Sequence, residues 1–132
     1  MIKQVQAPDL EHCLSVIRKS FATVAKEFNI TEENCPNHTS FIKMQRLEYH
    51  MENGHFMYGY FSNECMIGYV SLENKGNGVF ELNNLAILPE YRHKGFGKQL
   101  LDFCKAKVKE LNGYNIIILF TGETQSSLSE TG

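Results

Sequence analysis

Within seven residues, Arg92-His93-Lys94-Gly95-Phe96-Gly97-Lys98, the chain places two glycines among four basic or imidazole side chains. The segment lies between a strand-like run ending at Pro89 and a helical apolar stripe that begins at Leu100. A strand feeding a glycine turn that opens a helix brings unpaired backbone N–H groups and the positive helix end to one point. Such a point binds phosphate. Gly95 and Gly97 have no side chain to hold a ligand off, and Arg92, Lys94 and Lys98 add charge at the rim. Two common phosphate loops do not fit. A P-loop would need glycine where Arg92 stands and a hydroxyl where Gln99 stands, and a dinucleotide fingerprint would need its third glycine at Leu100. Nucleotide binding here ranks behind other readings.

What fits is Arg/Gln-x-x-Gly-x-Gly/Ala, preceded by a strand and followed by an amphipathic helix. This resembles the acetyl-CoA-binding motif of the GCN5-related N-acetyltransferase (GNAT) family, and the element order over residues 1 to about 120 is similar to that family's. The resemblance implies an enzyme that moves an acetyl group from acetyl-CoA, its co-substrate, to a primary amine by direct attack. It implicates the turn from Arg92 through His93, Lys94, Gly95, Phe96 and Gly97 to Lys98 for the pyrophosphate, with His93 read as a rim residue. Main-chain groups of Leu85, Ala86 and Ile87 fall to the pantetheine arm.

An ammonium has no lone pair, so attack on a thioester needs a proton acceptor. Glu81, eleven residues before Arg92 on the same strand, stands where many family members place that base. Asn83 and Asn84 could orient a water or the amine, and a free N–H near Leu85, where the family's strand bulges, could hold the oxyanion. The family's acceptor pocket corresponds to Phe21 through Phe41, with Glu27, Glu32 and Glu33 available to a small-molecule or peptide amine. The family continues past the last strand with a tyrosine-bearing helix and two more strands. This sequence has neither after Phe120, and Tyr91 and Tyr114 are misplaced to substitute. The competing reading is therefore a truncated, non-catalytic module that binds CoA or a protein partner.

The elements that would position these residues are legible from periodicity. Residues 2 to 6 read as a strand. Pro8, Asp9 and Glu11 open a helix with the stripe Leu10, Cys13, Leu14, Ile17, Phe21 and Val24. Thr39 or Ser40 is expected to cap a second helix carrying Phe41, Met44, Leu47 and Met51, which Asn53-Gly54 ends. Strands at 55–61, 65–72 and 79–88 follow, joined by polar turns at 62–64 and 74–78. A helix bearing Leu100, Leu101, Cys104, Val108 and Leu111 stops at Asn112-Gly113, and Ile116-Ile117-Ile118-Leu119-Phe120 reads as a strand buried on both faces. The expected class is α+β: a mixed, mainly antiparallel sheet with helices on both faces, acyl-CoA N-acyltransferase-like, lacking the C-terminal helix and last two strands. Residues 1–120 form one domain, and the serine-rich 121–132 reads as a mobile polar tail.

Composition agrees with one ordinary domain. The 132 residues are 42% apolar and 21% charged, with formal net charge −2, which disfavours disorder and a general nucleic-acid binder. Residues 91–110 carry six Lys/Arg against two acids, so the basic charge is concentrated around the glycine turn. No run of apolar residues is long enough to span a membrane, and the N-terminus lacks a signal-peptide layout. Four unpaired cysteines suit a cytoplasmic protein, and the Cys35-x-x-His38 spacing lacks a second pair to make a metal site. An uncovered edge at 116–120 would favour a homodimer.

Overall fold

The computed structural model describes residues 1–118. In chain order the elements are β1 (Ile2–Gln4), α1 (Leu10–Glu27), α2 (Met44–Glu52), β2 (Phe56–Ser62), β3 (Cys65–Gly76), β4 (Val79–Ile87), α3 (Phe96–Glu110) and β5 (Asn115–Ile118). The five strands form one sheet in sequence order. β1 to β4 pair antiparallel, and β5 runs parallel to β4 after the α3 crossover. The expected mixed α+β architecture is therefore present.

Tight turns set the meander. Asn63 and Glu64 both have positive φ, 50° and 68°, between the paired residues Ser62 and Cys65. Asn77 and Gly78 repeat this between Gly76 and Val79. Two consecutive left-handed residues twist a hairpin in the sense its strands require.

Alternation along the strands divides the core in two. On one face α1 packs Leu10, Cys13, Val16, Ile17 and Phe21 against Met57, Met66, Tyr69 and Ala86. On the other, α3 packs Leu100, Leu101, Cys104 and Val108 against Tyr58, Val70, Leu72, Phe80 and Leu82. Each such side chain fully buried contributes about 1.5 to 3 kcal/mol.

Three local expectations change. The buried face of α1 also takes in Val16, Ser20 and Ala25, leaving Leu14 and Val24 half-buried at its border. The second helix does not start at Thr39 or Ser40. His38 Nδ1 accepts from the Ser40 N–H and caps a separate 3-10 turn at Thr39–Phe41, while Arg18 Nε donates to the Ile42 carbonyl at 2.8 Å. The chain is extended at Ile42 and Lys43, and α2 begins only at Met44. Finally, β5 is not buried on both faces within the described residues: Ile116 is half-buried and Ile117 is 42% exposed. α3 covers one side there, and no described element covers the other. Leu119, Phe120 and the 121–132 tail lie outside the described residues.

Candidate active site

β4 organises the site. Before Asn84, even-numbered residues (Phe80, Leu82) face α3; after it, odd-numbered ones (Leu85, Ile87) do. The cause is a bulge: Tyr69 pairs with Ala86 but Ser71 pairs with Asn83, so Asn84 and Leu85 together oppose Val70. Asn84 takes a left-handed φ of 57° to make the bend. Among the described residues β5 pairs with β4 only over Val79 to Leu82, so the opening beside Asn83 to Ile87 is not filled by a described strand. Main-chain groups of Leu85, Ala86 and Ile87 line that stretch.

Past the strand, a 3-10 turn at Pro89–Tyr91 leads into the glycine turn. Gly95 is the N-cap of α3 with φ of 85°, a conformation that costs a side-chain-bearing residue, and no side chain caps the helix. The first-turn amides of Phe96, Gly97 and Lys98 therefore have no intrahelical acceptor. A Cβ at Gly95 would meet nothing within 4 Å, and one at Gly97 only Ile87 Cγ1 at 3.8 Å. The turn is open at both glycines.

Its basic side chains are not equivalent. Arg92 turns away, donating to Thr23 Oγ1 at 2.9 Å and to the carbonyl and hydroxyl of Ser20 on α1. Lys94 Nζ lies 5.7 Å from the Tyr91 ring centroid, and Lys98 pairs with Asp102 at 2.9 Å one helical turn on. His93 sits at φ of 62°, and the Phe96 ring packs on Tyr60 and Tyr91.

At the other end of β4, Glu81 and Asn83 face the α1–α2 side and line a cavity of about 970 Å³. Its other walls include His38, Phe41, Lys43, Arg46, Tyr49 and His50. Glu81 is directly opposite Glu73 across the β3–β4 ladder. Like charges so placed repel. Lys75 Nζ relieves the pair by lying 3.5 Å from Glu81 Oε2 and 3.7 Å from Glu73 Oε1. His55 Nε2 approaches Glu73 Oε2 at 3.9 Å, and its ring stacks on His50 with centroids 4.5 Å apart and planes 9° from parallel. Burial first, then the neighbouring His55 and Arg46, push the pKa of His50 down to about 4, with Glu73 opposing. His50 is uncharged at neutral pH.

Comparison with known proteins settles the lineage. The sequence profile of the acetyltransferase (GNAT) family matches residues 22–128. The chain belongs to that family. No curated protein matches this GNAT chain in sequence. Its fold resembles the PaiA N-acetyltransferase from Thermoplasma acidophilum in complex with coenzyme A (22% identity, TM-score 0.75, 98% of this chain and 84% of that one). It also resembles a GNAT family acetyltransferase from Brucella melitensis in complex with acetyl-CoA (12% identity, TM-score 0.74, 92% and 75%). A third likeness is to the ribosomal-protein-S18-alanine N-acetyltransferase from Escherichia coli (12% identity, TM-score 0.74, 100% and 76%). At these identities the likeness establishes the fold, and the family assignment bears out the acetyltransferase class expected from the glycine turn.

Within this GNAT domain, Glu81, Asn83 and Asn84 share one cavity, whereas Glu27, Glu32 and Glu33 are not among its lining residues. Glu32 instead pairs with Lys43 at 3.3 Å. Glu73, His50 and His55 were not candidates from the sequence. The signal for the two histidines was the Asn53-Gly54 stop, which folds the chain back so that the His55 N–H donates to the His50 carbonyl at 3.0 Å and the rings meet. The four cysteines are free, with Cys13 and Cys104 buried and their thiols pushed up to about 12 by burial. No described helix is long and apolar enough to cross a membrane.

Proposed function

We propose that this GNAT domain transfers the acetyl group of acetyl-CoA to a primary amine of a small molecule or peptide by direct attack. The observation that carries the reading is the single strand β4, which has an uncapped glycine turn beyond its C-terminal end and Glu81 in a cavity near its start, with the bulge between. The pyrophosphate lies on the Gly95 to Lys98 amides, and the pantetheine arm runs along Leu85, Ala86 and Ile87. Lys94 and Lys98 supply charge at the rim, while Arg92 holds the turn against α1.

In this reading the acceptor ammonium gives a proton to Glu81, directly or through a water held by Asn83 or Asn84. The freed amine attacks the thioester carbon, forming the C–N bond; as the C–S bond breaks, the nitrogen gives up its second proton to the departing sulfur, directly or through water, and CoA leaves as the thiol. A main-chain N–H at the Asn84–Leu85 bulge stabilises the oxyanion. Free thiols and the absence of a spanning helix among the described residues support placing this chemistry in the cytoplasm.

Release of free thiol from acetyl-CoA, followed across a panel of amines and peptides, tests the reading. Acceptor-dependent release is the expected result. Acetyl-CoA binding with no turnover on any acceptor would favour the non-catalytic module instead.

A further inference from the structure

The cavity is electrically two-ended. Glu73 and Glu81, which share the single cation Lys75 at 3.7 and 3.5 Å, stand at one wall, and Lys43 and Arg46 stand on or beside α2 at another. Between them lies the stacked pair of His50 and His55, whose ring centroids are 4.5 Å apart, with His55 in turn 3.9 Å from Glu73. Arg46 lies one helical turn before His50 on α2, so the residues run Arg46, His50, His55, Glu73 from neighbour to neighbour. Arg46 and Glu73, being of opposite charge, act on His50 in opposite senses, and burial above all keeps His50 neutral. Lys43 has a partner in Glu32 at 3.3 Å, but Arg46 enters none of the ion pairs among the described residues. A guanidinium facing a cavity is a planar fork suited to a carboxylate or phosphate.

We infer that the acceptor carries an anionic group on the same molecule as its reactive amine, the amine seated at Glu81 and Glu73 and the anion at Arg46. This rests on reading the cavity as the acceptor site. A simple alkylamine would leave Arg46 unanswered. A diamine or polyamine long enough to span the histidine pair would set its second ammonium against that guanidinium, and like charges in a partly enclosed cavity repel.

The test measures acceptor binding by calorimetry in the presence of CoA, and thiol release with acetyl-CoA. The probes are matched series of increasing chain length: ω-amino carboxylates, aminoalkyl phosphates, n-alkylamines and α,ω-diamines. The expected result is that an anionic series binds and reacts about tenfold or more better than the alkylamine or diamine of equal length, the scale of one charge-assisted pair. The two anionic series distinguish carboxylate from phosphate. Arg46→Gln, on the exposed face of α2, should collapse that preference toward one, and Arg46→Lys should restore part of it. Preferential binding of an anionic series without thiol release would keep the inference while removing the catalytic reading. Thiol release with alkylamines or diamines favoured, a preference that Arg46→Gln leaves intact, or no binding by any series would overturn the inference.

Discussion

The Arg92 guanidinium and the Ser20 carbonyl, 72 residues apart in sequence, are hydrogen-bonded, tying the glycine turn to the middle of α1. Arg92 also reaches the Ser20 and Thr23 hydroxyls, and burial pulls its pKa below the usual arginine value. The first residue of the Arg-x-x-Gly-x-Gly motif therefore braces the turn instead of pointing into it.

Removing that brace should cost stability as well as cofactor affinity. Arg92→Ala is expected to lower the unfolding free energy by roughly 1.5 to 3 kcal/mol, the range for hydrogen bonds from a charged donor. Urea denaturation measures it. A variant as stable as the parent but weaker in acetyl-CoA binding would mean that Arg92 acts on the ligand directly.

Much of the scaffold was legible because its determinants are local. Asn63, Asn77 and Gly78 announce hairpins through their tolerance of positive φ, and the Leu100, Leu101, Cys104, Val108 spacing announces the face of α3. Gly95, with φ of 85°, announces the helix N-terminus for the same reason. Features that depend on a distant partner were hidden. Lys43 begins the second helix's cap because Arg18, on another helix, engages the Ile42 carbonyl. Glu73 became part of the site only through its register with Glu81, and that register depends on bulges at both ends of the β3–β4 ladder.

His50 makes stability depend on pH. Its pKa is about 4 in the folded chain against 6.5 ordinarily, so between those values the unfolded chain binds the extra proton. Stability should fall as pH drops from 6.5 toward 4, and burial of His38, which also lowers its pKa, acts in the same direction. The urea midpoint should be lower at pH 5 than at pH 7, and His50→Gln should flatten the difference. An unchanged slope in that variant would assign the effect elsewhere.

Glu81→Gln should reduce turnover by roughly a hundred- to ten-thousand-fold, the usual contribution of a general base. Acetyl-CoA affinity should change little, because the turn lies at the far end of β4. Unchanged steady-state kinetics would remove Glu81 from the mechanism.

β5 is an edge strand among the described residues and should promote self-association. Ile117 is 42% exposed and Tyr114 78%, and an exposed apolar edge strand is a template for a second chain. Light scattering over a dilution series should find a dimer that Ile117→Lys weakens. A parent that stays monomeric at high concentration would show that this edge is not an interface.

The uncapped turn from Gly95 to Lys98 should hold acetyl-CoA, which titration calorimetry with acetyl-CoA reads as heat of binding. The parent chain should bind in the micromolar range, about −8 kcal/mol at 1 μM. Gly97→Trp should abolish the heat, since the side chain would fill space that now holds only Ile87 Cγ1 at 3.8 Å. A folded parent that gives no heat, or a folded Gly97→Trp variant that binds as the parent does, would contradict it.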